Sequence, residues 1–522
     1  MSENTLSHNL KPFIAGEFPI DPRRCALGWD LGNSETKIVI AHMPPMDQPI
    51  FRLLHFNGIP FIPSKAALDR DNQLRLGSEA ENLVYLGEGA IYSIGKDLLK
   101  SFDAPCLYWK NQPLKPADLI EKFAAFMIQQ ATASLGFPAQ ELDSFISCPA
   151  NFDSQQRQLW KEAIERAGIR LIGMENEPNQ AVRSLIGSLP VKGYVSILDI
   201  GGGTTDLSIG EISPERQRFS ILGSGACNLA GNNLTQILVE IVQDKALDGQ
   251  PLTDPALRSQ LYQSCVAAKH ALTYQPDTVV PVADGKQFQA CRITGAELEE
   301  RSRPLLQRIG DAYQEILAQS GLARNQIPTQ LLTGGSTLTP FIRNYVQREF
   351  PDAAIYLSSH PQFDVCLGNA MSALEQTVRT GKVPPSLHYI PPVEVQNITL
   401  HDICVAICPD ASKPRELIND GLIPRGTLIP TEVLAGEYAP VYPQQTSARI
   451  VVSKGEPETP FTPDQELGWV RIPLKPQSGD RVVQVRVEMQ VDCSSIVHIK
   501  ARDLFTGDEK QLDLSVGIRE KS

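Results

Sequence analysis

The stretch Ser196 to Gly210, SILDIGGGTTDLSIG, constrains this chain more than any other. Ser196 to Ile200 is a short apolar run with Asp199 near its end, and Thr204 to Ile209 is a β-prone run with Asp206 inside it, so the stretch reads as strand, turn and return strand. Gly201, Gly202 and Gly203 can adopt φ > 0 without a Cβ clash, and their missing side chains let backbone N–H groups close on a phosphate chain. Two carboxylates flanking such a turn would repel a bare phosphate, which implies an intervening divalent cation, Mg²⁺ held through waters. Taken alone, the stretch is equally compatible with a glycine-rich hairpin carrying two exposed acids.

The device recurs. Cys25 to Ala41, CALGWDLGNSETKIVIA, has a strand with an acid at Asp30, a turn at Gly32 followed by polar Asn33 and Ser34, and an apolar strand from Lys37 to Ala41. Two such hairpins, about 170 residues apart, predict an internally duplicated fold with a nucleotide between its halves. A third turn, Gly334-Gly335-Ser336 within Gln330 to Phe350, permits close backbone approach by a flat ligand. Gly87 to Lys100 nearly spells a phosphate-binding P-loop, but Ala90 stands where a glycine is required and Asp97 where Ser or Thr should meet the metal. Lys96 remains as a point charge for a transferring phosphate, or as a solvated lysine. Glu177 falls at a strand end before a helix, where a carboxylate can align a water or can simply favour the helix N-terminus.

A net charge of -12 and a pI near 5.3 argue against a nucleic-acid or anionic-membrane binder. No window approaches a membrane helix, and Met1 to Arg24 reads as a loosely attached polar tail without a signal-peptide core, so the chain is expected to be soluble and cytoplasmic. The ten cysteines lack a CxxC pair and are expected to be buried free thiols. His55 to Leu68 reads as a loop. Helical spacing marks Lys115 to Leu135, Ser154 to Ala167 after an N-cap at Asn151, Leu229 to Asp244, Asp254 to Tyr274, Ala296 to Gln319 and Gly368 to Arg379. Residues 381–402 read as a linker, opening with Gly381 to Pro392. Beyond it short β-rich runs recur, and Arg481 to Val491 should bury Val483, Val485, Val487, Met489 and Val491 on one face.

In this order the pieces resemble the seventy-kilodalton heat-shock chaperones of DnaK type, members of the actin-like ATPase superfamily. The resemblance runs from Cys25 to Leu514 and is carried by the two hairpins, by FISCPANF at Phe145 to Phe152, MENEPNQA at Met174 to Ala181 and LTGGSTLTP at Leu332 to Pro340, and by LIPRGTLIPT at Leu422 to Thr431. It implies an α/β ATPase domain of two duplicated ribonuclease-H-like lobes over 25–380, then an all-β sandwich over 403–522, without the family's helical lid. It implies ATP or ADP as ligand with Mg²⁺ held by Asp30, Asp199 and Asp206. Gly32, Asn33, Ser34, Gly201 to Gly203 and Thr204 would embrace the phosphates, with Gly231 and Lys269 beside them. Lys96 and Glu177 would place and polarise the attacking water, with Asp199 and Thr204 at the reacting phosphate, while Gly334, Gly335 and Ser336 would face the nucleoside. His270 and Leu338 stand where the family has adenine-stacking arginines, Val266 and Gln362 where it has acids, and Asn33 where it has a threonine, so a weaker nucleotide grip is expected. The expected activity is ATP hydrolysis coupled to binding of extended apolar polypeptide. The alternatives are a nucleotide-sensing scaffold for a dedicated protein partner or a small-molecule kinase. Glu165 replaces an arginine that J-domain partners use, which puts a J-protein in doubt.

Overall fold

The structure, a computed structural model, describes residues 5–6, 20–85, 91–94, 96–102, 104–110, 112–149, 152, 154–186, 193–213, 218–227, 230–283, 288–387, 389, 394–399, 401–480, 482–492 and 496–513. It forms two compact units. The first comprises Met1–Asn151, Glu162–Phe219 and Gly223–Glu394, and the second Phe152–Lys161, Ser220–Leu222 and Val395–Ser522.

In the first unit, two sheets are each organised by one hairpin. Cys25–Leu31 pairs antiparallel with Glu35–His42, setting Asp30 opposite Lys37, and takes Asp143–Cys148 as a parallel neighbour on its other side. Gly193–Ile200 pairs antiparallel with Thr205–Ser213, setting Asp199 opposite Asp206, and takes Thr329–Thr333 as its parallel neighbour. Arg170–Asn176 and Ala354–Ser358 extend the two sheets in parallel beyond those neighbours. Parallel neighbours need crossover connections, and helices such as Pro116–Leu135 and Arg303–Ser320 supply them. Because helices cover the sheets, the hairpin strands are almost wholly apolar, with Val195, Ile197, Leu198 and Ile200 all buried.

The helix Asp364–Arg379 packs Cys366, Ala370, Ala373 and Leu374 against Ala26, Val39 and Ala41 of the first sheet. The approach is closer than any side chain allows. A Cβ on Gly28 would stand 2.1 Å from the Ala370 nitrogen, and one on Gly368 would stand 2.0 Å from the Gln180 carbonyl oxygen. Gln180 belongs to the helix Glu177–Leu185, so this packing also fixes Glu177. Gly368→Ala is therefore expected to destabilise the chain by about 3 kcal/mol, the upper end of ordinary overpacking, read as a shifted urea midpoint at unchanged slope.

Local chemistry accounts for the boundaries. Pro116–Leu135 stops at Gly136, which takes φ 76, and Asp254 caps Pro255–Ala271 by accepting from the Ala256 and Leu257 N–H groups. The single helix expected from Ala296 to Gln319 is two, Gly295–Arg301 and Arg303–Ser320, parted at Ser302. Pro304 has no N–H and its ring would clash with the preceding turn, so the chain restarts there. The expected loop from His55 to Leu68 holds a turn at Asn57 (φ 52) and Gly58 (φ 82), yet Ile62–Pro63 and Lys65–Leu68 are strands. Most of the expected tail lies outside the described residues, but Thr5–Leu6 pairs with the edge strand Ala354–Ser358. Asn151, Leu229 and residues 87–90 also lie outside them.

The second unit is a sandwich of two four-stranded antiparallel sheets. One runs Ile418–Ile423, Ile403–Ile407, Ser447–Lys454, Glu466–Pro473, and the other Leu434–Tyr438, Val485–Val491, Val497–Asp503, Glu509–Asp513. Their inner faces share one core, including Val405, Val452, Ile472, Val487, Met489 and Ile499. Val483, expected inside, is 47% exposed because the ladder begins only at Val485. Within the expected linker, residues 388, 390–393 and 400 lie outside the described residues, while Glu394–Ile398 is a strand paired with Leu428–Ile429. Nine cysteines are free thiols and most are buried, and Cys493 lies outside the described residues. No helix among the described residues is long and apolar enough to cross a membrane.

Candidate functional site

The glycine turns, far apart in sequence, end on one cavity of ≈ 330 Å³ in the first unit. Asp30, Gly32, Asn33 and Ser34 line it from the first hairpin, and Asp199, Gly201, Gly202, Gly203 and Thr204 line it from the second. The third turn contributes Gly334, Gly335, Ser336 and Leu338, the helix Pro255–Ala271 contributes Lys269 and His270, and Glu177 reaches the wall from the start of its helix. Gly231 stands behind the wall, donating its N–H to the Gly201 carbonyl at 3.1 Å. The side chain of Lys96 lies outside what the structure describes, although its backbone opens the short helix Lys96–Ser101.

Of the two purposes expected of these glycines, backbone freedom and room for close approach, the structure uses the second. Gly201, Gly202 and Gly203 do not take positive φ; what they provide is room. A Cβ on Gly202 would stand 2.2 Å from Ser34 Oγ, and one on Gly203 would stand 2.2 Å from Asn33 Nδ2, so the two turns meet across the cavity's end. The turn itself is closed by the Gly201 N–H donating to the Thr204 carbonyl at 3.0 Å. It is held from outside by Ser336 Oγ donating to the Gly201 carbonyl at 2.9 Å and by the Asn232 N–H donating to the Gly202 carbonyl at 2.7 Å. Gly334 does need positive φ (+81), and a Cβ there would fall 2.2 Å from Asp199 Oδ1.

The charges in the wall are mixed. Lys269 donates to the Gly231 carbonyl at 3.1 Å and to Thr235 Oγ1 at 3.0 Å, and burial pulls its pKa down to about 8 against the attraction of Glu35. His270 is lowered by burial and by Lys269, so it is a neutral ring at pH 7. Sequence reasoning missed Glu35, Lys37, Lys65 and Glu81, which also line the cavity. Burial lowers Lys65 and raises Glu81, each partly offset by the other. Lys37 is 8% exposed, and its Nζ stands 3.3 Å from Glu35 Oε2. The signal for Lys37 was available: strand period two puts Glu35 and Lys37 on one face, and the hairpin register adds Asp30 to it.

At the first hairpin these residues do not fit a magnesium ion, because Asp30 has an ammonium as its cross-strand neighbour. Asp30 and Asp199 line the cavity, and Asp206, 1% exposed, is the cross-strand neighbour of Asp199 on the same face of its sheet. Asp30 faces an ammonium across its own hairpin. Among the described residues no group of three or more His, Cys, Asp or Glu side chains is placed to share a metal.

Comparison with known proteins matches residues 107–519 to the family described as Hsp70 protein. The chain is 27% identical to the chaperone protein DnaK of Picrophilus torridus over 508 residues, covering 94% of this chain and 77% of that protein. It is 24% identical to an HscA chaperone homologue of Acidithiobacillus ferrooxidans over 512 residues, 93% of this chain and 77% of the relative. With the HscA chaperone of Escherichia coli it shares 28% identity over 405 residues, 76% of this chain and 60% of the relative.

Proposed function

This chain belongs to the Hsp70 family, and on that footing we propose that it is a chaperone-like ATPase. In this reading it binds ATP or ADP in the cavity between its glycine turns, hydrolyses the terminal phosphate, and couples nucleotide state to the grip of its β-sandwich on extended apolar polypeptide. The observation that carries the reading is the convergence of three glycine turns on one cavity whose wall also holds buried cations and an acid at a helix start. The matching strand order of the two sheets supports reading them as duplicated halves, with 25–380 as the nucleotide domain.

The residues divide the work. The backbone N–H groups of this turn hold phosphate, Gly202 and Gly203 let the turn close against Ser34 and Asn33, and Thr204 closes the turn itself. Lys269 supplies positive charge, and Glu177 accepts a hydrogen bond from the attacking water and aims it, with Lys96 as a further cation. Phosphoryl transfer needs positioning and charge compensation rather than a covalent nucleophile, and the wall offers both. Neutral His270 with Val266, Leu338 and Gln362 gives the base few charged contacts, so selectivity for adenine is weak.

Lys269 also sets a pH dependence. Its folded pKa near 8 lies below the ordinary value of 10.5, so the unfolded chain binds more protons between those values and this group's contribution to stability rises with pH there. Phosphate attraction runs the other way, because the ammonium discharges. Nucleotide affinity is expected to fall about tenfold between pH 7 and pH 9.5, and Lys269→Met to flatten that profile in fluorescence titrations. The reading as a whole is tested by steady-state ATP hydrolysis with and without an extended apolar peptide. Hydrolysis that responds to the peptide is expected; absence of both hydrolysis and nucleotide binding would overturn it.

A further inference from the structure

We propose that Lys37 takes the place of a divalent cation at the first hairpin, so that this chain holds the phosphates of a nucleotide without bound metal; the inference rests on the nucleotide reading of the cavity. Three observations carry it. The first is register: Asp30 and Lys37 are cross-strand partners on Cys25–Leu31 and Glu35–His42, so their side chains leave the sheet on the same face as immediate neighbours. The second is pairing, since Lys37 Nζ lies 3.3 Å from Glu35 Oε2 and all three residues line the cavity. The third is burial: the Lys37 side chain is held in the wall and cannot swing out to solvent.

A buried ammonium among two carboxylates compensates charge that would otherwise draw a metal ion. A divalent cation arriving beside Asp30 meets a fixed like charge in a poorly screened wall. The Glu35 carboxylate beside the Lys37 ammonium compensates its charge within the wall. On the phosphate side, Lys37 joins Lys65 and Lys269 as cations in the same cavity. The compensation supplied elsewhere by a soluble ion is here part of the chain.

The test is calorimetric titration of ADP into the full chain, in buffer with magnesium and in buffer with EDTA. The dissociation constant of the native chain is expected to change by less than about threefold between the two buffers. Lys37→Met is expected to lose at least about tenfold affinity in EDTA and to recover part of it with magnesium, while Lys37→Arg, which keeps the cation, stays independent of metal. Should Lys37→Met not fold, water-proton relaxation with Mn²⁺ on the native chain and ADP decides: no enhanced ternary signal is expected. A native chain that loses more than about tenfold affinity in EDTA, or that gives a ternary Mn²⁺ signal, overturns this inference and leaves the nucleotide reading standing. An absence of ADP binding in both buffers overturns the nucleotide reading, and this inference with it.

Discussion

Gly334→Ala is expected to cost about 3 kcal/mol of stability and most of the affinity for nucleotide. Two penalties coincide at this position. The backbone holds φ +81, where an alanine is strained by about 1–2 kcal/mol, and the new Cβ would fall 2.2 Å from Asp199 Oδ1 and 2.4 Å from the Ile200 carbonyl oxygen. Neither neighbour can yield cheaply. Ile200 ends a central strand of the second sheet, and Asp199 leads into the turn whose carbonyls receive Ser336 and Asn232. Alanine there must therefore push the second hairpin out of the cavity rather than swell locally. Urea unfolding and ADP titration should both report the loss, whereas Gly335→Ala, whose nearest neighbour would be Gln362 Cβ at 3.9 Å, should leave stability nearly unchanged.

Glu177→Gln is expected to lower turnover by about two to three orders of magnitude while nucleotide affinity stays within about threefold. The amide keeps the size and one acceptor of the carboxylate but loses the charge that orients and polarises water. Glu177 is 7% exposed at the first turn of Glu177–Leu185, a helix fixed by the close packing of Gly368 on Gln180. Affinity and rate should separate, because the acid acts on the water and not on the bound phosphates. Single-turnover hydrolysis beside equilibrium binding makes the comparison. Equal losses in both would assign Glu177 to the helix terminus alone.

Much of the architecture was legible because the signals were local. Asp30 and Asp199, each beside a glycine turn inside an apolar strand, predicted two hairpins meeting at one site, and both acids line one cavity. What could not be read was set by pairing. Lys37 looked like the polar start of an apolar strand until the register put it opposite Asp30. Lys65 was hidden in a segment whose Asn57-Gly58 and Pro63-Ser64 steps signalled a loop, although Lys65–Leu68 is a strand supported by neighbours on both sides. The glycines of the second turn predict close approach by a phosphate chain, while the groups that approach them in the structure are Asn33 and Ser34, partners more than 150 residues away in sequence. Pro304 was present in the sequence, yet helical spacing on either side masked the break it causes at Ser302. The alternation of Arg481 to Val491 was real but overran the ladder by four residues, leaving Val483 in solvent.

The account depends on a nucleotide lying between the two hairpin turns. Crystallography of the chain with a non-hydrolysable ATP analogue examines that directly. The expected result is density for the phosphate chain bounded by Gly32 to Ser34 on one side and Gly201 to Thr204 on the other, with Lys37 beside Asp30. Analogue bound elsewhere on the first unit, with that cavity closed by protein side chains, would contradict it.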